Sequence, residues 1–184
     1  MGAAGGSGGD GGASGKAAGG GIYSAAPYDY DGQGVEPLAG SLTVEKSTIS
    51  GNITKAGKAG KGGKAGSGGS GGDGRAEAGA PGSDGEVLDA NGGGIGSLRS
   101  ALTLTEVIIE RNVAAASGGG VSVFENTSTV ITDSNIRLNI AKLMGGGLHS
   151  VLNVDDDPVE LISTVIAQNQ APTDPNIRGP VVIT

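Results

Sequence analysis

The sequence predicts an all-β fold, a parallel β-helix of about four coils carrying glycine-rich insertions. Two recurrences and one absence carry that expectation. A glycine triplet followed by an aliphatic residue occurs as GGGIYS at 19–24, GGGIGS at 92–97, GGGVSV at 118–123 and GGGLHS at 145–150. An asparagine closes the stretches LTVEKSTISGN at Asn52, LTLTEVIIERN at Asn112, TVITDSNIRLN at Asn139 and VELISTVIAQN at Asn169, each time with isoleucine three positions earlier. The units lack a helical 3.6-residue period. A unit of about 27 residues built from short β-branched strands cannot bury its own apolar face, so it must stack on copies of itself.

Aligned on the asparagine, the chain sorts into faces. Eight positions earlier stand Val44, Leu104, Ile131 and Leu161, and ten positions earlier Leu42, Leu102, Thr129 and Val159. Strand side chains alternate between faces with period two, so these columns and the column Ile49, Ile109, Ile136 and Ile166 point inward. After each triplet Ile22, Ile95, Val121 and Leu148 form a further inward column, and Tyr23, Gly96, Ser122 and His149 an outward one. The asparagines belong at a turn, where each amide bonds the amides above and below and forms a structural ladder. Glycines at the other corner supply positive φ and close coil stacking.

The triplet-aliphatic repeat paired with Ile-x-x-Asn resembles the repeats of polymorphic outer membrane proteins and related bacterial surface proteins, within the broad pectin-lyase-like superfamily. The likeness runs from Gly19 to about Asn169. Gly94 and Gly120 stand where that pattern has alanine, and Ile49, Ile109, Ile136 and Ile166 where it has an aromatic residue. The resemblance implies a right-handed coil, display outside the cell or at the bacterial outer membrane, and a non-catalytic structural or adhesive role. Its partners would be a polysaccharide or another surface protein, with end-to-end stacking on further coils. The same superfamily hosts polysaccharide lyases and hydrolases, which makes a polysaccharide-active or carbohydrate-binding protein the alternative.

Residues 1–18 form a glycine-rich segment, and 19–184 the repeats, interrupted by an insertion at 56–90. Glycine recurs at every third position from Gly57 to Gly72, again at Gly79, Gly82 and Gly85, and earlier at Gly2, Gly5, Gly8 and Gly11. With Pro81 alone in the insertion, a collagen triple helix is disfavoured. Side-by-side extended glycine helices and a flexible linker are both compatible with the period. Lys55, Lys58, Lys61 and Lys64 share the three-residue spacing and would line one edge, as a solubilising stripe or a contact for an anionic polysaccharide.

The 19 acidic against 12 basic residues give a net charge of −7, which disfavours an electrostatic grip on nucleic acid. The chain has no cysteine, so disulfides, zinc–thiolate sites and thiol catalysis are excluded. No apolar run reaches the roughly 20 residues of a membrane helix, and MGAAGGSGGD has neither the basic start nor the apolar stretch of a secretory signal.

The chemistry-bearing residues are few. Glu110 lies beside Arg111 and in the column of Arg137, and Asp133 in the column of Glu106 and Lys46, an arrangement of mixed-sign pairing rather than of convergent acids. His149, the single histidine, is expected in solvent, and no catalytic residues are assigned. Asn52-Ile-Thr and Asn126-Thr-Ser match the glycosylation acceptor pattern. Asn153, Asp155, Asp156 and Asp157 are weak calcium candidates, with no other cofactor implied. Tyr28, Asp29, Tyr30 and Asp31, in the expanded loop AAPYDYDGQGVEPLAG, are the binding candidates, because exposed aromatics beside acids stack on sugars or meet protein partners.

Overall fold

The structure is a computed structural model that describes residues 10, 17–26, 40–57, 61–64, 80, 81, 83, 90–152 and 157–184. The chain divides into two compact units, Met1–Lys16 with Ala56–Leu88, and Ala17–Lys55 with Asp89–Thr184. The second unit holds every strand among the described residues. In chain order these are β1 (Ala17–Ala18), β2 (Ile22–Ala25), β3 (Gly40–Glu45), β4 (Thr48–Ser50), β5 (Ile53–Thr54), β6 (Ala90–Asn91), β7 (Ile95–Leu98), β8 (Ser100–Thr105), β9 (Ile108–Glu110) and β10 (Val113–Ala114). There follow β11 (Val121–Phe124), β12 (Ser128–Thr132), β13 (Asn135–Arg137), β14 (Ile140–Ala141), β15 (Leu148–Val151), β16 (Val159–Ile162), β17 (Val165–Ala167), β18 (Ile177–Arg178) and β19 (Val181–Ile183). The described residues contain no helix.

All strand pairing is parallel, and the connectivity is cyclic. Each pass of the chain lays one strand in each sheet in turn, giving the orders β2-β7-β11-β15-β18, β3-β8-β12-β16-β19, β4-β9-β13-β17 and β5-β10-β14, with β1 beside β6. Register holds the sequence columns together: Ile22, Ile95, Val121, Leu148 and Ile177 are aligned, as are Val44, Leu104, Ile131, Leu161 and Ile183. Ile95, Leu102, Leu104, Ile109, Val121, Ile131, Ile136 and Leu148 are fully buried and form the core.

Single residues in the left-handed region make the bends between sheets. Lys46, Glu106, Asp133 and Ser163 (φ 45°, 54°, 48° and 47°) form one bend column; Gly51, Arg111, Leu138 and Gln168 (φ 69°, 54°, 55° and 58°) form another. The conformation costs a non-glycine residue about 1–2 kcal/mol. Stacking offsets that cost, because the bend amides of Lys46, Glu106, Asp133 and Ser163 donate to Thr105, Thr132, Ile162 and Thr184 carbonyls on the next pass at 3.0–3.2 Å.

Beside the second bend the structure brings Asn52, Asn112, Asn139 and Asn169 into one column. The backbone N–H and Nδ2 of Asn52 both donate to Asn112 Oδ1 at 3.0 Å, Asn112 repeats this to Asn139, and Asn139 to Asn169. Each interior Nδ2 also donates to the isoleucine carbonyl one pass back: Asn112 to Ile49, Asn139 to Ile109 and Asn169 to Ile136. Asn176 supplies a further rung, its Oδ1 accepting from Asn169 N and Nδ2 at 3.2 Å. A second polar column, Ser47, Ser134 and Thr164, is interrupted by buried Val107, whose N–H donates to Ser134 Oγ at 3.0 Å.

Two expectations are corrected. First, the passes number five in two sheets. Asp174, Pro175, Asn176 and Ile177 open the fifth, in the places of Gly145, Gly146, Gly147 and Leu148, with Asp174 keeping the positive φ (48°) of the first glycine. Second, the column after the triplet is not outward throughout: Gly96 and Ser122 are buried and His149 is half-buried, although Tyr23 is 51% exposed. The first glycine of each triplet curls back over this position, so that a Cβ on Gly118 would lie 2.8 Å from the Ser122 Cβ and one on Gly145 2.9 Å from that of His149. The glycines take both expected roles: Gly19, Gly92, Gly118 and Gly145 have positive φ, and a Cβ on Gly119 or Gly120 would lie 2.4 or 2.7 Å from the glycine carbonyl oxygen of the next pass. A Cβ on Gly120 would lie 3.0 Å from Asn139 Nδ2 and one on Gly119 2.6 Å from the Ile140 carbonyl carbon, so triplet and ladder face each other across a gap too narrow for a side chain.

Two stability outcomes follow from this arrangement. Asn139→Ala removes the acceptor of two Asn112 donors and the partner of the Ile109 carbonyl, and is expected to cost about 3–5 kcal/mol in denaturant unfolding, whereas Asn52→Ala, at the end of the ladder, costs about 1 kcal/mol. Gln168→Gly, at an exposed bend where the first pass already has Gly51, is expected to stabilise by about 0.5–1 kcal/mol by relieving the positive φ.

Candidate functional site

The strongest candidate lies at the bend that joins the β2-containing sheet to the β3-containing sheet. In the second pass one residue, Arg99 (φ 52°), makes that bend between β7 and β8; in the third, Glu125 (φ 50°) and Asn126 lead from β11 towards β12. Arg99 Nε donates to Glu125 Oε2 at 2.8 Å, with both side chains 27% exposed. Asn126 is buried behind them. Its Nδ2 donates to Ser97 Oγ (2.8 Å) and Thr129 Oγ1 (3.3 Å), and its Oδ1 accepts from the Ser100 N–H (3.3 Å). Thr129 thereby keeps an inward place in an apolar column without an orphaned hydroxyl.

Both loops singled out in the sequence enter and leave at this bend. Residues 27–39 connect Ala26 to Gly40 in the first pass, and 153–156 connect Leu152 to Asp157 in the fourth. Three strand spacings separate those passes, about 14 Å. Tyr28, Asp29, Tyr30 and Asp31, and Asn153, Asp155 and Asp156, lie outside the described residues; Asp157 is exposed. Among the described residues no group of three or more His, Cys, Asp or Glu is placed to hold a metal ion. Beside the bend runs an outward column of Ala25, Leu98, Phe124 and Val151, in which Phe124 is 39% exposed.

The remaining charges of the wall are largely paired. Glu110 meets Arg111 and, at 3.0 Å, Arg137; Lys46 lies 3.9 Å from Glu106; Arg178 bonds Asp174 at 3.0 Å. Exposed pairs of this kind contribute little stability, typically below about 1 kcal/mol. Asp133 shares the bend column of Lys46 and Glu106 and is exposed. Of the two glycosylation patterns, Asn52 is a ladder rung and Asn126 is the buried amide behind the Arg99–Glu125 pair. The role of Asn126 was hidden in the sequence, where a polar Asn-Thr-Ser run reads as surface.

In the glycine-rich unit, Asp10 and Ser83 meet across a long stretch of chain. The Ser83 hydroxyl and N–H donate to Asp10 Oδ1 at 2.7 and 2.9 Å. These bonds, the hydroxyl first, hold the exposed Asp10 carboxyl below its ordinary value of 3.8. Lys55, Lys61 and Lys64 are exposed, and Lys58 lies outside the described residues.

No protein-family model, curated protein or solved structure matches the chain.

A carboxylate lowered in the folded state stabilises that state above its unfolded value, and the contribution is lost as pH falls through the folded value. The Asp10–Ser83 tie is therefore expected to be intact at neutral pH and to open in acid. Carbon-detected NMR titration should find Asp10 below the ordinary aspartate range, and Ser83→Ala, which removes the hydroxyl and leaves the N–H bond, should raise it part of the way back.

Proposed function

We propose that the protein is an exported or surface-displayed right-handed parallel β-helix, a structural or adhesive module that is not catalytic and makes its contacts through loops at one bend. The observation that carries the reading is connectivity: the tyrosine–aspartate loop at 27–39 and the acidic loop at 153–156 both spring from the bend that holds Arg99, Glu125 and Asn126. Cyclic parallel connectivity supports the coil, and the near-universal handedness of parallel crossovers supports its right-handed sense. The four triplet-asparagine repeats support kinship with bacterial surface β-helix repeats, and through it a place outside the cell or at the outer membrane.

The partner class is a polysaccharide or another surface protein. An acidic chain with paired wall charges is poorly suited to nucleic acid. No helix among the described residues is long and apolar enough to cross a membrane. The alternative, a polysaccharide-active or carbohydrate-binding β-helix, draws on the same bend, because the tyrosines of the first loop suit sugar faces and the carboxylates of both loops suit sugar hydroxyls. A role for calcium belongs to that alternative and to the loop ending at Asp157.

The test compares binding of the full chain to immobilised polysaccharides and to isolated outer-membrane fractions. Tyr28→Ser with Tyr30→Ser should weaken binding about tenfold, the loss of roughly 1.4 kcal/mol, without shifting the melting temperature. Calcium-dependent release of unsaturated uronate or reducing sugar from an acidic polysaccharide would instead establish the enzymatic alternative, and unchanged binding by the double variant would sink the loop assignment.

A further inference from the structure

The ladder of the second unit has a direction. Every rung donates from N–H and Nδ2 towards the next pass, so the two ends differ chemically. Among the described residues, Asn52 Oδ1 at the first-pass end accepts no hydrogen bond, and Asn176 Nδ2 at the last-pass end donates none. Each end offers what the other lacks.

The apolar columns are less buried in the same two passes. Ile22, Leu42 and Val44 are half-buried in the first pass; in the fifth, Ile177 and Val181 are half-buried and Ile183 is 71% exposed, while the aliphatic members between them are almost entirely buried. Stacked in register, Ile177 would meet Ile22, Val181 would meet Leu42 and Ile183 would meet Val44. On the outer face Arg178 would come against Tyr23, a cation against an aromatic ring, and Thr184 against Glu45.

We propose that the chain associates head to tail with a second copy of itself: the last pass of one copy (β18, β19 and Asn176) receives the first pass of the next (β2, β3 and Asn52), and Asn176 Nδ2 donates to Asn52 Oδ1. The partner is a second copy in this orientation because symmetric pairing opposes like groups, Oδ1 to Oδ1 at one end or NH2 to NH2 at the other. Association is open-ended but weak and reversible. Only the two five-stranded sheets reach the join, and Pro175 replaces a glycine whose N–H elsewhere donates to the next pass, as Gly93 does to Gly118 and Gly119 to Gly145. The proposal goes beyond the adhesive reading and does not depend on it.

Sedimentation velocity on the full chain, from micromolar to near-millimolar concentration, should show mass rising from monomer to dimer and higher multiples. Ile183→Lys, at a site already 71% exposed and so compatible with folding, should weaken association at least about tenfold. The chain has no cysteine, so orientation can be read by oxidation. A mixture of Glu45→Cys and Thr184→Cys chains should yield mainly the mixed disulfide. A monomer at all concentrations, an Ile183→Lys chain that associates as well as the parent, or a predominance of like-with-like disulfides would each overturn the proposal.

Discussion

The buried amide ladder is the constraint on which the stack depends. An asparagine carboxamide has two donors and one strongly accepting oxygen, and in the interior rungs all are used. Asn112 and Asn139 each accept from the N–H and Nδ2 of the preceding rung, then donate to the following rung and to an isoleucine carbonyl. A shift of one residue in any pass would leave several buried polar groups unpaired at once, each costing about 1–3 kcal/mol. The ladder therefore sets register more firmly than the aliphatic columns do, since Val, Ile and Leu replace one another there with small penalties.

The glycine triplets follow from the ladder. The strand-entry segment opposite the asparagines has room only for hydrogen at its second and third positions, where an added Cβ would meet the glycine carbonyl of the next pass and, beside it, Ile140 backbone or Asn139 Nδ2. Asn176 illustrates the rule from the other side. It stands at a third-glycine position in the fifth pass, where no ladder asparagine occupies the gap among the described residues, and its own amide becomes the rung. Asp174 keeps the left-handed bend, as an aspartate can at modest cost.

The repeating interior was legible because it is written in periodic chemistry. Isoleucine three before asparagine, apolar residues eight and ten before it, and the triplet each mark a place where the cross-section admits one shape. Of the fifth pass the apolar run at 181–183 was legible as a final strand, but its entry was not, because Asp174-Pro175-Asn176 meets the same geometric needs with none of the same residues. The bend that gathers the two candidate loops was also hidden. The loops differ in length and composition, and their departure from the same bend depends on β2 and β15 sharing a sheet, a fact of topology rather than of local sequence. The burial of Ser122 and His149 escaped period-two reasoning because the cover comes from the preceding glycine turn, not from the opposite sheet.

This architecture also accommodates insertions at its bends. Residues 26–39 stand where the second pass has Arg99 alone, yet Ala25 still pairs with Leu98 and Gly40 with Ser100. The chain leaves and rejoins the stack at neighbouring points, so a long excursion adds only the slowly growing entropy of closing a larger loop, about 0.6 kcal/mol per doubling. An insertion within a strand would instead rotate every following side chain to the opposite face. New side chains can thus be added freely at a bend and almost nowhere else, and the tyrosines and aspartates of the first excursion occupy such a place.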